Sequence, residues 1–320
     1  MQKSRFEYQH SVRGCEWAIV APILVGILVA LVGMIYASIA GIDAKILQTN
    51  TIYLCIGSVM TELSFLAVAF YIARRNRVGF LDGTGMRVTS PWWTYLVAII
   101  VSVLVLLLLN PLINCWQTLL QTLGHSIVDL PLAVDSIPML ILAIVIFALI
   151  PAFCEEILFR GVILNGLRKY GMWTSILISA AFFSIMHMNL LQLPYTFLLG
   201  VVLGIVVYTT RNLGLGILMH FANNATVLIA GYFSAGYAYN FVWYDILIAL
   251  GGVILFGALL YILYKYLVKK FLPTTQATEA QQLSQTPLLE KSIRKRMWCS
   301  PCIIGGACLI ISILGAFGIL

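Results

Sequence analysis

The chain has 320 residues, 61% of them from the set Ala, Val, Ile, Leu, Met, Phe, Trp, Tyr and Cys and only 10% charged. Soluble domains use about a quarter charged residues, so this composition and a mean hydropathy of +0.99 exclude a soluble protein. The many long apolar runs exclude an outer-membrane barrel and point to an all-α, polytopic transmembrane helical bundle. The formal net charge of +7 comes from Lys and Arg in short clusters between apolar runs. That pattern is a cytoplasmic-loop bias rather than a nucleic-acid surface, so no nucleic-acid partner is expected.

In chain order, about nine spans are expected, near Trp17–Ala40, Ile52–Ala73, Trp93–Ile113, Met139–Leu167, Trp173–His187, Leu193–Tyr208, Leu215–Phe233, Ile246–Val268 and Cys302–Leu320. The fifth and sixth are short against the roughly 20 residues that a full crossing needs. The first follows Lys3, Arg5 and Arg13 but is too long for a cleaved signal, so it reads as a retained anchor. Arg74, Arg75, Arg77 and Arg87 follow the second span, Arg168 and Lys169 the fourth, Arg211 the sixth, and Lys265, Lys269 and Lys270 close the eighth. The opposite connections hold almost no Lys or Arg apart from Lys45, which predicts a cytoplasmic N-terminus and an outer C-terminus.

The longest outer connection, about Asn114 to Pro138, is partly amphipathic and is expected along the interface. Pro273 to Arg296 is polar and reads as a flexible cytoplasmic linker; its basic end, Lys291, Arg294, Lys295 and Arg296, orients the last helix and can touch anionic lipid. The expected organisation is therefore N-terminal helices with the outer connection over 1–137, core helices over 138–235, an eighth span over 236–272, a linker over 273–298 and a final span over 299–320. The seven cysteines read as small hydrophobes, and Cys299-Ser300-Pro301-Cys302 lacks the second ligand pair of a zinc site. No internal repeat points to a transporter built from two halves.

A charge at mid-bilayer costs a few kcal/mol even on the lenient insertion scale, so each one needs a reason. Three of the twelve acidic residues lie inside spans, Glu62, Glu155 and Glu156, with Arg160 in the fourth span and His187 and His220 in or at the end of others. Glu156 and Arg160 are four apart, share a helix face and can pair. Glu155 is turned by about 100° from Glu156, which leaves it free of that arginine and able to accept a proton. His220 and Asn224 share a face of the seventh span, and Phe183 and His187 repeat the spacing in the fifth. Helix packing alone is satisfied more cheaply by Ser, Thr and small residues. Glu62 reads as structural or cavity-lining rather than catalytic.

Glu155-Glu156-x-x-x-Arg160, Phe183-x-x-x-His187 and His220-x-x-x-Asn224, in that order on three spans, resemble the three motifs of the CPBP family, which comprises type II CAAX prenyl endopeptidases and bacteriocin-processing or immunity membrane proteins. Glu-Ile-Leu-Phe-Arg-Gly at 156–161 is similar to the first of those motifs, and the resemblance covers about Met139 to Phe233. It implies an intramembrane endopeptidase, a metalloprotease by the family's usual label, whose Glu155 activates water and whose Glu156 and Arg160 shape the site. His187, His220 and Asn224 would bind a divalent metal such as Zn, with His187 and His220 as ligands, or hold the oxyanion in a metal-free glutamate mechanism.

The expected partners are membrane lipid and a peptide or protein substrate, and the short loops suit a multi-pass protein of a bacterial plasma membrane. The rival classes are a proton- or ion-coupled transporter using the same buried groups, and a non-proteolytic immunity or scaffold protein. No His-Glu-x-x-His, Gly-x-Gly-Asp or Gly-x-Ser-x-Gly offers another protease chemistry. One tension concerns depth. At 1.5 Å per residue, Glu155 lies about 21 Å and His187 about 27 Å from Lys169, and His220 about 13 Å from Arg211. Tilt, a break near Gly161 or Gly166, or basic residues outside the hydrocarbon edge must bring them together.

Overall fold

A computed structural model describes residues 8–43, 50–125, 134–234, 242–271 and 299–316. These residues are helical, with no β-strand among them: α1 (Tyr8–Ala40), α2 (Thr51–Arg75), the short α3 (Phe80–Thr84), α4 (Trp92–Thr122), α5 (Ile137–Leu167), α6 (Met172–Ile185), α7 (Leu193–Thr210), α8 (Leu213–Phe233), α9 (Tyr244–Phe271) and α10 (Cys299–Ala316). Seven of them are long and apolar enough to cross a membrane, namely α1, α2, α4, α5, α7, α8 and α9. The protein is a multi-pass membrane protein.

The sequence suggested nine crossings; the two expected spans outside these seven fall on α6 and α10. Helix α6 has 14 residues, about 21 Å of rise, short of the roughly 30 Å hydrocarbon core. The ninth expected span, Cys302–Leu320, runs past the described residues of α10, which end at Ala316. The interfacial connection expected from Asn114 is in part a continuation of α4, which runs on to Thr122 through Pro111. Residues 126–133 of that connection and the polar linker over 273–298 lie outside the described residues.

Helix α5 is the central element. All of Ile157–Leu164 is buried, and α1, α2, α6, α7 and α8 pack around it. It carries no break at Gly161 or Gly166. Instead it widens into π-helical turns at Val145–Leu149 and Ile157–Leu164, a geometry that recurs at functional sites because it re-aims side chains within one helix. Ser179 of α6 donates to the Phe159 carbonyl in the widened stretch at 2.8 Å. Helix α7 lies close along α6 because Gly200 and Gly204 face it: a Cβ on Gly200 would sit 3.1 Å from that of Ala180, and one on Gly204 3.0 Å from Ile176. This is the small-residue seam by which membrane helices approach. Arg168 ends the bundle core by donating to the Tyr208 and Val207 carbonyls at 2.8 and 3.1 Å, so a cation caps the C-terminus of α7.

The outer faces carry exposed Leu, Ile, Val and Phe, with Ile39 82% and Ile254 71% accessible. Bundle polarity is reversed relative to a soluble protein: Glu62, Glu155, Glu156, Arg160 and His220 are inside. That inversion is what a hydrocarbon solvent selects.

Candidate active site

Glu155 and Glu156 are neighbours on α5 with separate surroundings. Glu156 is fully buried, and its Oε1 accepts from Arg160 Nη1 at 2.5 Å, the i, i+4 pair expected from spacing. The same oxygen accepts from His220 Nδ1 of α8 at 3.2 Å. Arg160 is fully buried too; its Nη2 donates to the Gly200 carbonyl at 3.3 Å, and its guanidinium lies 4.3 Å from the centroid of the Phe183 ring. Around that ring stand Phe159, His187 and His220, each edge-on at 5.1 to 5.5 Å. Phe183 is thus the apolar hub that joins α5, α6 and α8.

The side chain of Glu155 makes no pair with Arg160. It lines a cavity with Glu62, His187, His220 and Asn224, with about 390 Å³ of water-accessible space. That is ample for several waters, since one needs about 10–15 Å³ on this measure. Glu155 Oε2 lies 3.9 Å from His220 Nε2. A single water spans such a gap with two hydrogen bonds of about 2.8 Å.

Hydrogen-bond bookkeeping assigns the imidazoles. His220 Nδ1 faces a carboxylate oxygen and His187 Nδ1 faces the Phe183 carbonyl at 2.8 Å. Both partners accept, so each Nδ1 carries a proton and donates it there. Amide and hydroxyl donors stand nearby. The Tyr195 hydroxyl of α7 donates to Asn223 Oδ1 in a short contact, and Asn223 Nδ2 donates to Asn224 Oδ1 at 3.2 Å. Asn224, whose oxygen accepts that bond, lines the cavity and carries an NH₂ donor.

The connection after α6 fixes the height of His187. Asn189 Oδ1 accepts from the Leu191 N–H at 2.9 Å, Ser184 Oγ donates to the Leu193 carbonyl at 2.6 Å, and Thr196 Oγ1 donates to Ser184 at 3.0 Å. Trp116 Nε1 of α4 ties in the Leu190 carbonyl at 3.0 Å. On α8, Ser102 of α4 donates to the Met219 carbonyl at 2.5 Å, beside His220. These ties resolve the depth tension: a short α6 and a widened α5 bring Glu155, His187 and His220 to one chamber.

Of the residues singled out in the sequence, Glu155, His187, His220 and Asn224 line the cavity, while Glu156 and Arg160 stand behind it. Glu62 lines it as well. Tyr195 and Asn223 had no signal: Tyr195 lies 28 positions before its partner on another helix. A catalytic zinc takes three protein ligands at about 2.0–2.2 Å. Among the described residues no three His, Cys, Asp or Glu side chains come together as a metal site. The arrangement therefore does not fit the expected zinc, and none of the chemistry derived for these residues requires one.

Residues 137–226 match the model of the family described as type II CAAX prenyl endopeptidase Rce1-like. The match runs from the start of α5 into α8 and holds every candidate residue but Glu62. No curated protein and no solved structure gives a match.

Proposed function

We propose that this chain, a CPBP/CAAX protease family member by its segment 137–226, is an intramembrane endopeptidase that hydrolyses a peptide bond with a glutamate-activated water. The observation that carries this reading is the shared cavity: the Glu155 carboxyl, the His187 and His220 imidazoles and the Asn224 amide line one space where water has room. Peptide hydrolysis inside a bilayer needs that enclosure, because water must reach the bond while helices shield the charges from lipid.

Glu155 takes a proton from the water, whose second hydrogen is held by the His220 lone pair. The water oxygen adds to the substrate carbonyl, and the developing oxyanion receives the Asn224 N–H. His187 accepts a substrate N–H and helps set the peptide's register. The tetrahedral intermediate then collapses: the C–N bond breaks and Glu155 returns its proton to the leaving amine. Glu156 and Arg160 hold His220 and Phe183 in place from behind, a positioning role. The substrate is a membrane-associated peptide or protein terminus. The N-terminus lies in the cytoplasm of a bacterial plasma membrane, by the Arg and Lys bias of alternate connections, and α6 and α10 complete the bundle.

Comparative peptidomics of cells carrying the wild type or Glu155→Gln tests the proposal. A set of membrane-derived fragments that disappears in the variant supports it. Identical peptidomes, with both proteins inserted at equal level, contradict it.

A further inference from the structure

Glu62 is a second unpaired carboxyl in the cavity, contributed by α2 from outside the segment that carries the hydrolytic groups. It is 8% exposed, and it has no hydrogen-bond partner among the described residues; its Oε2 is buried and unsatisfied. A glutamate retained only to glue helices together would have found a donor, because a buried polar atom left alone costs about 1–3 kcal/mol. It shares the cavity wall with Glu155. Ser58, one turn earlier on α2, lines the same space, as does Gln192. No Lys or Arg is among the described lining residues, and Arg160 is spent on Glu156 outside the cavity wall.

A chamber lined by two carboxyls, with no Lys or Arg among its described lining residues, favours an incoming cation. Burying such groups is costly until a positive charge is delivered beside them, and the peptide that enters is the source available. We propose that Glu62 is a specificity-determining residue that receives a Lys or Arg side chain of the substrate next to the scissile bond. This rests on the endopeptidase reading of the cavity. The same carboxyl rejects peptides with an acidic group at that position, a free terminal carboxylate included, so selection works by attraction and by repulsion.

The experiment uses the purified full-length protein in nanodiscs and three probes: acetyl-Leu-Leu-Lys-Leu-Leu-amide and its norleucine and glutamate analogues. Binding and cleavage are measured for the wild type and for Glu62→Gln. The wild type is expected to bind the lysine peptide about tenfold tighter than the norleucine peptide and the glutamate peptide most weakly. In Glu62→Gln the lysine-to-norleucine ratio is expected to fall toward one. Equal wild-type binding of all three peptides overturns the proposal, and so does an unchanged ratio in a folded Glu62→Gln. The wild-type ratio is decisive even if the variant fails to fold. Cleavage without a lysine preference removes the role of Glu62 and leaves the endopeptidase standing. A lysine preference without cleavage of any probe supports the cation site and counts against the endopeptidase.

Discussion

The guanidinium of Arg160 lies over the face of Phe183, 4.3 Å from its centroid, while His187 and His220 approach the same ring edge-on. One apolar side chain therefore sets the relative positions of a buried cation and both imidazoles. Replacing it with Leu keeps the hydrophobicity but removes a desolvated cation–π contact of about 2 kcal/mol and the ring edges. Phe183→Leu is expected to lose about tenfold in kcat/KM, while Phe183→Tyr keeps the stacking face and more of the activity. Steady-state kinetics of the two variants on one substrate checks the order.

Arg160→Ala leaves the Glu156 carboxylate buried without its cation, a loss of about 3–5 kcal/mol. Thermal unfolding in detergent should show a large fall in Tm. A double variant, Glu156→Leu with Arg160→Leu, removes the stranded charge and is expected to unfold at higher temperature than Arg160→Ala alone. Its activity should stay low, because His220 loses its Nδ1 acceptor. A double variant no more stable than the single one would show that the pair is not held by charge compensation.

Tyr195→Phe removes the hydroxyl that starts the hydrogen-bond chain through Asn223 to Asn224. A hydrogen bond of this kind is worth about 0.5–1.5 kcal/mol. If the amide acts on the oxyanion, the loss falls on the transition state, so kcat should drop about fivefold with KM little changed. An equal effect on KM with kcat intact would assign Tyr195 to substrate binding instead.

Gly216 sits where α8 crosses α7 and α5. A Cβ there would lie 2.6 Å from Val207 Cγ2 and 3.0 Å from Glu156 Oε2. Gly216→Ala is expected to destabilise by about 1–3 kcal/mol through overpacking. Adding Val207→Ala should recover part of that loss, as read from Tm for the single and double variants.

Spacing made much of the site legible. The i, i+4 relations of Glu156 with Arg160 and of Phe183 with His187 follow from one helical turn, and the isolation of Glu155 follows from its 100° offset. What sequence could not give is what separate helices do to each other. The widening of α5 over Ile157–Leu164 lies in a fully buried stretch packed on several other helices, the short α3 included. The contact of Tyr195 with Asn223 joins two neighbouring helices, and Glu62 of α2 shares a cavity with Glu155 of α5. Apolar content marks burial in lipid or in protein alike, so it does not by itself tell whether the 14-residue α6 crosses the membrane.

The most direct test of the account is turnover by purified Glu155→Gln reconstituted in liposomes, on a peptide identified by comparative peptidomics. The substitution keeps size and polarity but cannot take a proton from water, a step worth about 10²–10⁴-fold. The account expects cleavage to fall by at least that range, with insertion, helix content and Tm unchanged. Cleavage at the wild-type rate by the folded variant would contradict it.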